Sequence, residues 1–482
     1  MGQARVFQAR IGFLSCLIRC MMSSIFPAVD DLTNPLLTGP LRKTVFFLAL
    51  PVLGEQLLNF LVGFFDVWLS GHLPGAVRTE ATAAVGVAAY SSWLATLIFS
   101  LVATGTTALI SRAWGAGNFQ EANRVANRSV VLSVLMGLLF MALVVPFARL
   151  MVVSMGLEGR AAEIGERFLK IDSIGLVFAS ISLVIAAAMR GCGDMRTPMW
   201  IFGVVNLLNV FFSSSLVYGW GPFRSLGVDG IVVGTVIARV SGGLIFLACL
   251  GRGVKGLWLD VRELHLGGEI IGRILRIGAP AAAEGVVMWL GHVVFLRMIA
   301  SLGETPFAAH IVGVRVEALT YLPAVAWGAA AATMVGQSLG AGNPDRAYRA
   351  GQEAAWQCTI FGLAITLWFV LDAKNIYALM HQDAAVGAVG SFPFRIVGLF
   401  QIPLILSIVY SSSLRGAGDT VFPLASVIFT TYIVRLPIAY YCAEVLQMGL
   451  MGAWMGMNLD MLARGILAAW WFTSRRWIKI RV

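Results

Sequence analysis

The sequence predicts an all-α integral membrane protein, with twelve transmembrane helices in two six-helix lobes related by a pseudo-two-fold axis along the membrane normal. Three observations carry that prediction: composition, a recurrence of long apolar stretches, and an internal repeat. Of the 482 residues 58% are hydrophobic and 12% charged, with a mean hydropathy of +0.82. Soluble domains carry about 25% charged residues, so water is not the solvent of most of this molecule. The 52 glycines fit a bundle whose helices approach closely in lipid.

Apolar stretches of about 20 residues, enough to cross a bilayer, fall at 44–70, 82–110, 126–147, 166–189, 198–219, 228–250, 277–300, 307–335, 353–372, 392–414, 421–442 and 450–473. With the first residues placed in the cytoplasm, the inward connections hold 19 Lys and Arg and the outward ones seven. The bias favours cytoplasmic termini. The net charge of +10 is explained in the same way, since no basic run interleaved with aromatics marks a nucleic-acid partner.

The most charged inward connection, within 252–276, divides the spans six and six. The organisation read from the sequence is therefore a tail or leader over 1–43, lobes over 44–251 and 277–473, a linker over 252–276 and a basic tail over 474–482. In the leader, Arg5, Arg10 and Arg19 flank an apolar run too short to span, and Met21 or Met22 are alternative starts. Six cysteines, including Cys16 and Cys20, show no metal or disulfide spacing.

The repeat is visible in four motifs. Gly115-Ala116-Gly117-Asn118 recurs as Gly340-Ala341-Gly342-Asn343, and Arg190-Gly191-Cys192-Gly193-Asp194 as Arg415-Gly416-Ala417-Gly418-Asp419, both displaced by 225 residues. Gly227, Gly230 and Gly234 recur as Gly449, Gly452 and Gly456, displaced by 222; Pro51 and Glu55 recur as Pro280 and Glu284, displaced by 229. Six spans per repeat give both halves one orientation, so their axis follows the membrane normal and a cleft lies between them. The first two motifs read as cytoplasmic turns, with glycine and Asn or Asp supplying the turn chemistry. A gate at the inner face is the alternative.

These motifs resemble the multidrug and toxic compound extrusion (MATE) family. The first span, LALPVLGEQLLNFLVGFFDVWLSGHL, is similar to the family's opening signature. The GAGN loop, the RGCGDMRTP turn, Asn209, the GVDGIVVGT stretch and IGAPAAAEG in the second half match in order over about residues 40–473. The resemblance implies a V-shaped bundle exchanging Na⁺ or H⁺ for cationic or amphipathic drugs.

Ionisable groups inside spans are functional candidates by default, because burying them in lipid is costly. Asp66 lies roughly 9 Å below the outer surface, Asn209 roughly 15 Å and Thr235 roughly 12 Å, counted at 1.5 Å per residue from the span ends. Three helices of one lobe thus present hard oxygen donors at similar depth, suited to Na⁺, while the carboxylate alone can take H⁺. The resemblance places a cation site on these three residues. Its second aspartate, one turn past Asn209, is replaced by Ser213, which leaves a proton-driven site or one completed by Ser213 and water.

Glu284, roughly 12 Å inside the seventh span, is the candidate of the second lobe, for proton or substrate. The resemblance implies a partner aspartate on the tenth span for some members, where this chain has Leu404. Glu55 and Gln56 form a further lining pair. Arg239, Arg297, Arg315, Glu317, Arg395, Arg435, Asp460 and Arg464 read as interhelical pairs or rim charges, and His292 and His310 as packed side chains.

The expected protein is then an antiporter in the inner (cytoplasmic) membrane, monomeric among lipids, exchanging H⁺ or Na⁺ for small cationic or amphipathic compounds, with no cofactor beyond the coupling ion. A flippase for lipid-linked sugars is the alternative, and would need a cleft ringed with basic residues. No HExxH or Walker motif suggests an enzyme.

Overall fold

In a computed structural model of the protein, residues 35–73, 78–220 and 222–480 are described. The leader arginines, Cys16, Cys20, Met21 and Met22 lie outside them. A helical turn at Pro35–Thr38 leads into α1 (Leu41–Gly71), followed by α2 (Arg78–Gly115), α3 (Phe119–Ser154), α4 (Gly159–Gly191), α5 (Arg196–Tyr218) and α6 (Val228–Arg252). The second half repeats the order: α7 (Glu269–Ser301), α8 (Glu304–Gly340), α9 (Pro344–Met380), α10, α11 (Val421–Val445) and α12 (Gly449–Thr473). Helix α10 is broken at Phe400 into Ala384–Leu399 and Gln401–Ala417, bent by 50°.

Ten of these helices are long and apolar enough to cross a bilayer, and the two halves of α10 together make an eleventh. Helix α12 has 25 residues, about 37 Å at 1.5 Å per residue, which exceeds the hydrocarbon thickness. It carries Asp460 and Arg464, which neutralise one another at 2.7 Å. The helices run past the apolar stretches read from the sequence. The connection between the halves is accordingly shorter than 252–276, because α7 begins at Glu269. The basic tail is docked: Trp477 is fully buried in a 3₁₀ turn, Arg476–Lys479.

Local chemistry explains the repeated turns. Gly117 and Gly342 take the left-handed conformation (φ 73° and 71°) that favours glycine. Asn118 and Asn343 then cap α3 and α9 by accepting from the amides of Glu121 and Arg346. Asp194 does the same at the start of α5, accepting from the Arg196 and Thr197 amides. The turn reading of both motifs is correct for these residues. It does not extend to Arg190 and Arg415, which were grouped with the loop charges: they sit in the last turns of α4 and α10 and point inward.

The two halves exchange their first helices at one end. The beginning of α1 (Val45, Leu48, Ala49, Val52) packs into a core built by α8, α9, α10 and α12. The beginning of α7 (Ile270, Ile274, Ile277) packs into a core of α2, α3, α4 and α6. The repeated Pro51 and Pro280 fall just at the limits of these crossing segments. Glycine allows the approach: at Gly105 and Gly278 of the α2–α7 contact, a Cβ would run into the Ile274 and Leu101 carbonyls. This end carries the first and last described turns and both GAGN loops; it is the terminal-side end below.

Candidate functional site

In the first half the expected oxygen donors come together only in part. Asn209 on α5 donates from Nδ2 to Thr235 Oγ1 on α6 at 3.0 Å, and Thr235 donates onward to the Ile231 carbonyl. The Asn209 Oδ1 atom is buried without a partner, and so is Asp66 Oδ1 on α1. No hydrogen bond joins Asp66 to Asn209 or Thr235 among the described residues. Ser213 is fully buried, and its hydroxyl donates to the Ile231 carbonyl at 3.3 Å. Gly234 lets α6 approach Ser213 where any side chain would collide.

A second carboxylate stands in this half, and the sequence reading missed it. Asp172 on α4 is buried, accepts from Arg239 of α6 at 2.8 Å and from Ser92 of α2 at 3.1 Å. An intramembrane acid is itself the signal that would have found Asp172. Its place early in α4, beside Glu166, Arg167 and Lys170, gave it the look of a rim residue. No cluster of three His, Cys, Asp or Glu side chains able to hold a metal exists among the described residues.

The repeated glutamate of the first helix in each half is paired. Arg190 Nη2 donates to Glu55 at 2.7 and 3.1 Å; Arg415 Nη1 donates to Glu284 at 2.9 and 3.1 Å. Each arginine opens its RGxGD motif and each glutamate follows its repeated proline, so the two pairs are one device built twice. Glu284 is therefore not a lone acid. Its partner on the tenth helix is a base, 11 residues beyond Leu404. Gln56 is half-buried and does not line the cavity between the halves.

That cavity, about 200 Å³, lies between α2, α4, α8 and the second part of α10. Both guanidinium groups line it with Thr104, Thr107, Thr333 and Ser412, and no carboxylate does. Immediately beyond it the terminal-side end is sealed. Arg112 donates to the carbonyl of Ala417, the last residue of α10, at 2.8 Å. Gln337 donates to the carbonyl of Gly191, the last residue of α4, also at 2.8 Å. Gly115 and Gly340 press against the backbones of Gln337 and Arg112, leaving no room for a Cβ. Among the described residues every hydrogen bond between the halves lies at this end, as with Arg42 to Glu353, Thr333 to the Arg190 carbonyl and Arg346 to Leu36.

The second half holds a further buried polar centre. Arg435 of α11 and Arg464 of α12 flank Asp460 at 3.9 and 2.7 Å, with Glu317 of α8 buried beside Arg435. Here α11 leaves regular α geometry for π turns at Phe429–Arg435 and Tyr441–Val445. Arg435–Asp460, like Arg239–Asp172, joins two helices, whereas Arg464–Asp460 is a pair one turn apart within α12. His310 is likewise packed, accepting from Trp454 Nε1 at 3.1 Å if its Nδ1 is the unprotonated nitrogen.

Two repeats that meet in a sealed end, enclose a cavity and each hold buried ionisable groups have the form of a membrane transporter. The MatE family model matches residues 51–214 and 280–441, and the chain belongs to this family, that of the MATE transporters. A probable multidrug resistance protein NorM of Thermotoga maritima is 30% identical over 91% of this chain and 94% of its own. The multidrug resistance protein PmpM of Pseudomonas aeruginosa is 26% identical over 83% of each. Among solved structures, an outward-facing conformation of a multidrug resistance MATE family transporter superposes with a TM-score of 0.85 at 22% identity. It covers 93% of this chain and 98% of that one. A MATE in the straight conformation gives 0.83 at 22% identity, over 92% and 97%.

Proposed function

We propose that this protein is a secondary active exporter of small cationic or amphipathic organic compounds, driven by H⁺ or Na⁺ entering in exchange across the inner membrane. The observation that carries the reading is the pair of buried, unpartnered acceptor oxygens, Asp66 Oδ1 and Asn209 Oδ1, in the first half. A buried acceptor without a donor costs about 1–3 kcal/mol. A proton on Asp66, or a hard cation between the oxygens, removes that cost. The names of the relatives point the same way.

The coupling ion belongs at Asp66 rather than Glu284, since Glu284 already has Arg415. The sealed terminal-side end, taken as cytoplasmic, closes the cavity to the inside. Ion uptake at Asp66 then favours the rearrangement that breaks the Arg112 and Gln337 contacts and opens the cavity inward, where substrate exchanges for the ion. The flippase alternative has in its favour the two arginines in the cavity, and against it the small size of that cavity.

The test is efflux of a fluorescent substrate from proteoliposomes under separately imposed Na⁺ and pH gradients. One of the two gradients should drive transport, and Asp66→Asn should abolish it while leaving insertion intact. Full gradient-driven efflux by Asp66→Asn would remove the site, and scrambling of a lipid-linked sugar without either gradient would favour the flippase.

A further inference from the structure

We infer that the cavity between the halves is a receptor for an anionic group, in which Arg190 and Arg415 together bind a carboxylate or similar oxyanion carried by an amphipathic organic molecule. The inference rests on the exporter reading only in taking the cavity as the place where cargo sits, and it narrows that cargo from cationic or amphipathic compounds to amphipathic ones that carry an anionic group.

Two glutamates near a central cleft suggest, in the sequence, a cavity that attracts cations. The structure inverts that expectation. The carboxylates stand behind the arginines: Glu55 and Glu284 side chains are 4% and 13% exposed, Arg190 and Arg415 17% and 25%. The cavity wall is therefore made of two guanidinium groups, hydroxyls and small apolar residues. A ligand entering it meets hydrogen-bond donors and positive charge first.

The arginines retain the capacity to bind. Arg190 uses only Nη2 on Glu55, and its Nε is buried without a partner. Arg415 gives Nη1 to Glu284 and Nη2, at 3.2 Å, to the Ser412 hydroxyl, which can yield to a stronger acceptor. A guanidinium carries five donors in a planar fork, so one glutamate leaves part of the fork free. The glutamates act as positioning residues: they fix each fork and stop the two arginines from driving one another apart across the cavity. Hydrogen bonds of this charge-assisted kind strengthen in a site shielded from water.

The same geometry ties binding to the conformational change. Arg190 and Arg415 lie one residue before and two residues before the carbonyls, Gly191 and Ala417, that Gln337 and Arg112 hold closed. Thr333 of the second half also donates to the Arg190 carbonyl at 2.9 Å. An anion bridging the two guanidiniums thus sits directly on the seal.

The experiment uses the full chain in detergent and in proteoliposomes, with two xanthene dyes of similar shape and opposite charge: fluorescein, an anion at neutral pH, and rhodamine 6G, a cation. Binding is read by fluorescence anisotropy. The expected result is that fluorescein binds at least about tenfold more tightly than rhodamine 6G. The double variants Glu55→Gln/Arg190→Gln and Glu284→Gln/Arg415→Gln, which remove a pair without stranding a charge, should each weaken fluorescein by about tenfold or more, the scale of a lost charge-assisted contact. Arg415→Lys keeps charge and partner but loses the fork, and should give an intermediate loss even if a double variant does not fold. Unchanged fluorescein binding in Arg415→Lys and in a folded double variant overturns the inference. So does preferential binding of rhodamine 6G by the unmodified protein. That last outcome, with rhodamine efflux stopped by Asp66→Asn, would leave the exporter reading standing.

Discussion

Ser111 and Gly336 occupy equivalent places in the two repeats, 225 residues apart, and they touch: a Cβ on Gly336 would fall onto the Ser111 hydroxyl. Residues related by a two-fold operation can meet only near its axis, so the axis passes between them, through the α2–α8 crossing. The serine side chain fills the space its mate leaves empty, which is how two nearly identical surfaces close without a gap.

That crossing predicts a conformational phenotype. Gly115→Val or Gly340→Val overpacks a contact with backbone that no rotamer change relieves, and Gly336→Val overpacks the contact with the Ser111 side chain, each at a cost of about 1–3 kcal/mol. Such a cost shifts a two-state equilibrium by about 5- to 150-fold. Spin labels at the exposed Gln120 and Asp345 should report a longer mean separation in each variant, and transport should fall. An unchanged distance distribution in all three would show that α2 and α8 do not form the moving seal.

Thr235→Val removes the acceptor of Asn209 Nδ2 and leaves that amide free to rotate. The ion concentration giving half-maximal transport should rise by about fivefold or more, from the loss of about 1 kcal/mol of positioning. Substrate binding without ion should be unaffected. Equal loss of both would assign Thr235 to the fold.

Glu55→Gln should destabilise the protein more than Glu284→Gln. Both leave a guanidinium without its carboxylate, but the Glu55–Arg190 pair is the more buried of the two. Breaking a fully buried pair costs about 3–5 kcal/mol, so about 3 kcal/mol bounds the first and a smaller value the second. Thermal melting in detergent gives the order. The charge-swapped Glu55→Arg/Arg190→Glu should recover part of the loss.

Asp460→Asn strands Arg464 and Arg435 in the second half, where one carboxylate serves both. The melting temperature should drop further than for Asp372→Asn, whose carboxylate lies at an exposed end of α9 and accepts from Asn375. Equal melting of the two variants would mean that Asp460 is not what holds α11 against α12.

Much of the fold was legible because a bilayer demands it. A span must hide its backbone polar groups, so long apolar stretches can only be helices, and a repeat of six cannot reverse its orientation. Asn209 with Thr235 was legible too, since depth along a helix follows from counting. What counting cannot give is azimuth. Asp172 and Arg239 share a contact because α4 and α6 turn those faces to each other. Arg190 and Arg415 were read as loop charges because the glycines after them hid one more helical turn.

The sequence by itself determined the solvent, the number and order of the helices, the duplication and the turn chemistry, since each depends on local composition or on residues a few positions apart. The tertiary structure decided that α1 and α7 cross into the opposite half's core, and that the repeated glutamates stand behind arginines and not before them. It also decided that one glycine of each GAGN motif closes a seal while the other makes a turn. These depend on which helix faces meet, and that is fixed by close packing across more than 200 residues of chain, a range over which spacing along the sequence carries no information.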